Sequence, residues 1–65
     1  MNPSPTAGLP IAGLETAYDS LAEAIDRAGE ARATLFLVKL ALLNANALAD
    51  ARRFGEHIEI ALRDL

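Results

Sequence analysis

A chain of 65 residues, 52% hydrophobic and with a net charge of −3, is one domain at most and hides too little of its own surface to be comfortably stable alone. The absence of cysteine rules out disulfides and thiolate metal sites, and the one histidine, His57, cannot build a multi-histidine site within one chain. The acidic balance, with a pI near 4.8, argues against a nucleic-acid surface and against binding to anionic lipid.

Of the usual devices that stabilise a small protein, oligomerisation is the one left. A single Tyr and two Phe in an Ala- and Leu-rich chain fit an aliphatic helical protein. The opening "MNPSPTAGLPIAGLE" has no Lys or Arg and no long apolar run. It reads as neither a secretory signal nor a transit peptide, so the expected address is the cytoplasm. Residues 1–13 hold all three prolines, Pro3, Pro5 and Pro10, and read as a flexible, irregular arm. It is either a docking tail or a frayed terminus, with Leu9 and Ile11 placed to pin its end to the body.

The remainder, 14–65, reads as a single helical domain. A first helix is predicted over about 14–28, because Leu14, Tyr18, Leu21, Ile25 and Ala28 recur at steps of four and three and so share a stripe. Glu15, Asp19, Glu23, Asp26 and Arg27 fall on the other side. Glu15 is expected in the first turn, where negative charge suits the helix dipole. Gly29 is a natural stop, since glycine takes left-handed conformations at little cost.

A second helix is predicted over about 30–49 and contains "LFLVKLALLNANALA", which has one charge, Lys39, and two amides, Asn44 and Asn46. At about 100° per residue, Arg32, Lys39, Asn46 and Asp50 fall in a sector about 40° wide. Leucines and other apolar residues occupy nearly everything else, and Asn44 lies almost opposite that polar stripe. A third helix is predicted over about 51–63, with Asp50 as its N-cap. Phe54, Ile58, Ala61, Leu62 and Leu65 form its apolar stripe; Ile60 points away from it. One continuous helix from Glu30 onward is the competing reading, because Ala49 and Ala51 do not break helices.

A helix with a single narrow polar stripe is not covered by two amphipathic neighbours. Each well-buried leucine contributes about 2 kcal/mol, at ~25 cal/mol per Å², and a row of exposed leucines is sticky. The predicted solution is a second copy packed across a two-fold axis. Leu35, Phe36, Leu40, Leu43, Asn44 and Ala47 are the expected interface, with Asn44 either fixing register against its symmetry mate or satisfied by a nearby backbone group or water. Membrane insertion is disfavoured, since Lys39 would sit near the bilayer centre at a cost of about 2.5–3.5 kcal/mol.

Chemistry-bearing groups are few. His57 lies on the polar side of the third helix beside Glu56 and reads as a solvated surface residue rather than a general base. No Glu-x-x-His pair marks a di-metal bundle, and no glycine-rich phosphate loop is present. No catalytic, cofactor-binding or metal residue is expected.

The segments "YDSLAEA" and "KLALLNANALAD" resemble a family of short bacterial helical proteins of unknown function. Its pattern, Tyr-acid-x-Leu followed by a basic residue, Leu, two leucines, Ala-Asn, an aliphatic residue and Asp, is met by Tyr18, Asp19, Leu21, Lys39, Leu40, Leu42, Leu43, Ala45, Asn46, Leu48 and Asp50. The resemblance covers about half of the chain. This chain departs from it at Ala49, where the family has Gly, and at Ile25 and "AGEARAT", where the family has a histidine and a Gly-Leu-Ser turn. The resemblance implies small helical proteins without a known activity. It also implies a recurrent polar stripe through Lys39, Asn46 and Asp50, as a partner contact or a link between helices two and three.

Together these readings predict an all-α protein: a helical hairpin plus a short third helix, dimerising into a helical bundle. The expected function is protein–protein interaction or an accessory role without catalysis. The expected partner is the chain itself, as a dimer or a tetramer, together with an unidentified protein; nucleic acid and membrane are not expected. A small apolar ligand or enzyme site at the dimer interface, lined by Asn44 and Tyr18, is the first alternative. A membrane-surface helical protein is the second.

Overall fold

The computed structural model describes residues 8–65. Among them are three helices and no strand: α1 (Ile11–Ala28), α2 (Ala33–Leu48) and α3 (Ala51–Leu62). The protein is all-α. The chain divides into two units, one running to Ala33 and the other spanning Thr34–Leu65. Residues 1–7 of the expected arm lie outside the described residues.

Helix α1 begins at Ile11, three residues before the expected Leu14, so the last part of the expected arm, residues 11–13, is helical. Pro10 explains the earlier start. It sits at the N-cap with φ −62° and ψ 162°, and its carbonyl accepts the Leu14 N–H at 2.9 Å. A residue in that position has no intrahelical use for an N–H, so proline loses nothing there. Gly13 does not stop the helix: within a formed turn its cost relative to Ala is only about 0.5–1 kcal/mol. The shift removes the expected dipole role of Glu15, because the first turn contains no acid. Arg27 does lie in the last turn, where a cation faces the negative end of the helix dipole.

Gly29 ends α1. Its N–H donates to the Ile25 carbonyl at 3.1 Å, and its φ of 85° with ψ of 156° belongs to a region essentially reserved for glycine. The Arg32 N–H then donates to the Gly29 carbonyl at 3.0 Å, closing a tight turn over residues 30–32. Helix α2 therefore opens at Ala33, three residues later than the sequence pattern suggests.

The break between α2 and α3 is real and local. Ala49 donates to the Ala45 carbonyl at 3.0 Å but has φ 59°, the left-handed conformation that closes many helices. Asp50 is extended, with φ −152° and ψ 97°. Its Oδ1 accepts the Arg53 N–H at 2.9 Å, and its carbonyl accepts the Phe54 N–H at 2.9 Å. One otherwise unpaired donor of the first turn of α3 is thereby satisfied. The far end closes with the Arg63 N–H on the Ile60 carbonyl at 3.2 Å, one residue short of the expected helix end.

No described residue is buried. The best-covered large apolar side chains, Leu21, Ile25, Phe36, Leu40 and Phe54, are half-buried. A folded domain usually keeps several aliphatic side chains fully inside, so these helices have large apolar surfaces to place.

Candidate interaction surface

Helix α2 has no broad polar face to give to water. Around its axis, at about 100° per residue, Val38, Leu42, Leu35, Asn46, Lys39 and Leu43 follow one another within a sector about 140° wide. All six are exposed; Leu35, Leu42 and Leu43 have 63%, 61% and 68% of their surface open. Phe36 and Leu40, with Ala33, flank this sector on one side and are half-buried; Ala41 and Ala45 flank it on the other and are also half-buried. The exposed face is thus an aliphatic strip with a Lys–Asn pair along its middle.

This arrangement sorts the predicted interface residues. Leu35 and Leu43 lie on the open strip, while Phe36 and Leu40 are partly covered by their own chain. Asn44 and Ala47 are exposed outside the strip, with Asn44 between Leu37 and Leu48 on the helix surface. Val38 and Leu42 belong to the strip and were not singled out by sequence. The available signal was their position beside Leu35 in the helical projection, but leucines surround α2 so evenly that periodicity alone does not choose a face.

The predicted polar stripe is divided as well. Lys39 and Asn46 are both within α2, two turns apart. Arg32 belongs to the turn before the helix, and Asp50 lies beyond the left-handed Ala49 as the N-cap of α3. The 40° sector computed for a continuous helix therefore holds for Lys39 and Asn46 only.

Charge is unevenly distributed between the units. The first carries five acids (Glu15, Asp19, Glu23, Asp26, Glu30) and two bases (Arg27, Arg32), a net −3; the second carries four bases and four acids, a net of zero. On α1 the acids Glu15, Asp19, Glu23 and Asp26 line one exposed side. A shallow hollow at the start of α1 is lined by Ile11, Leu14, Tyr18 and two of these acids, Glu15 and Asp19, all from this one helix.

Tyr18, Ser20, Lys39 and His57 are all exposed. Among the described residues no group of three or more His, Asp and Glu is placed to hold a metal ion. No described helix is long and apolar enough to cross a membrane. Comparison with protein-family models, with curated proteins and with solved structures yields no match.

Proposed function

We propose that this is a small homo-oligomeric protein–protein interaction or accessory protein, without catalysis of its own, in which the helices of two copies complete one helical bundle. The observation that carries the reading is the open aliphatic strip of α2, in a chain where no described residue is buried. Covering the exposed parts of Leu35, Val38, Leu42 and Leu43 contributes roughly 1–2 kcal/mol each. Counted in both copies, this is of the same order as the freedom lost on association, which points to a micromolar rather than a nanomolar dimer. The likeness of Tyr18–Asp50 to short bacterial helical proteins belongs to the same proposal and rests on that motif.

The test is molar mass by light scattering over a concentration series, with helicity followed by circular dichroism. A helical dimer that persists into the micromolar range is the expected result. A fully helical monomer throughout would overturn the self-association reading and assign the strip to a different protein.

A further inference from the structure

We propose that the α2 helices of two copies pair antiparallel, each Lys39 against the partner's Asn46, about a two-fold axis passing between Leu42 and Leu43. This rests on the self-association proposed above and specifies its geometry.

The argument starts from the two polar side chains inside the strip. Covering the strip removes water from Lys39 and Asn46, and a desolvated ammonium or amide needs a hydrogen-bond partner. A two-fold interface places residue i against j and j against i. Lys39 and Asn46 are separated by two helical turns, with Leu42 and Leu43 at their midpoint. An axis at that midpoint brings both ammonium groups onto amide carbonyls at once and places the leucines of the two copies together at the centre.

The alternatives fail on the same residues. In a parallel pair, Lys39 meets the partner's Lys39, so two like charges share a water-poor interface. In an antiparallel pair centred on Lys39 the same clash occurs. In the registers that set Lys39 against the partner's Leu42 or Leu43, the other exposed strip residues between Lys39 and Asn46, the ammonium faces leucine and has no acceptor. The proposed register overlaps the α2 helices over about three turns. The charge distribution is compatible with it: the unit containing α2 has no net side-chain charge.

The natural chain has no cysteine, so introduced cysteines report cleanly. Lys39→Cys and Asn46→Cys chains are mixed in equal amounts and oxidised, and the products are separated by mass under non-reducing conditions. Disulfides need Cα atoms within about 7 Å, so the mixture should give a covalent heterodimer in several-fold excess over either variant alone. Equally efficient cross-linking of Lys39→Cys alone would overturn the antiparallel arrangement. No cross-linking in any sample, while the unaltered chain is a dimer by light scattering, would overturn this register and leave self-association standing. A monomeric unaltered chain would remove both. A second variant gives an independent sign. Asn46→Asp places a carboxylate against the partner's Lys39 and should tighten the dimer about three- to tenfold, whereas in a parallel pair it opposes the partner's own Asp and weakens it.

Discussion

At the scale of single residues, the sharpest information lies at the α2–α3 junction. Asp50 as an N-cap follows from its sequence position, an acid just ahead of a helical run. The accepted Arg53 N–H at 2.9 Å is the physical content of that expectation. Ala49 gave no such warning, because alanine is the best helix former; its left-handed φ of 59° follows from the cap beside it. An alanine held there carries roughly 1–2 kcal/mol of strain that glycine does not. Ala49→Gly is therefore expected to stabilise the protein by about 0.5–1 kcal/mol, the remainder being offset by the greater freedom of glycine in the unfolded chain. Asp50→Ala should destabilise it by about 1 kcal/mol. Denaturant midpoints at one fixed protomer concentration check both, since assembly itself shifts apparent stability.

At the scale of elements, helix type and number were legible and helix ends were less so. The period of apolar residues in α1 and α3 marks both helices, but the start of α1 was hidden by Pro10 and Gly13, which read as breakers. Structure shows the opposite use: Pro10 occupies the N-cap and Leu9 lies over Gly13, whose missing Cβ would sit 3.5 Å from the Leu9 side chain. That is ordinary van der Waals contact, so a methyl group fits without displacement. Gly13→Ala should stabilise α1 by about 0.5–1 kcal/mol, seen as a higher thermal midpoint with no loss of helicity. An unchanged or lower midpoint would mean that α1 frays before Leu14. For α2 the difficulty was different. Its near-uniform coat of leucine marks a helix that must be covered but gives no period that selects one open face, so the pattern singles out Leu35 and Leu43 and not Val38 and Leu42, although all four are exposed.

At the scale of the molecule, assembly and the apolar strip stand or fall together, and Leu43 is the residue that tests them. It is 68% exposed, so in a single chain an Asp at this position has water around it and little reason to disturb the helix. Next to a two-fold axis the same carboxylate is desolvated and faces its own symmetry mate, which adds like-charge repulsion to the loss of solvation. Leu43→Asp should weaken the dimer by at least about 100-fold by these combined terms. Ile60→Asp is the matched control: Ile60 is 56% exposed but stands alone among Arg53, Glu56 and His57 on the polar side of α3, and isolated surface apolar residues are ordinary. Molar mass by light scattering should fall to that of the single chain for Leu43→Asp and stay dimeric for Ile60→Asp at the same concentration. If both variants remained dimeric, the dimer contact would lie away from the α2 strip. If both dissociated, general surface charge rather than the strip would be controlling association.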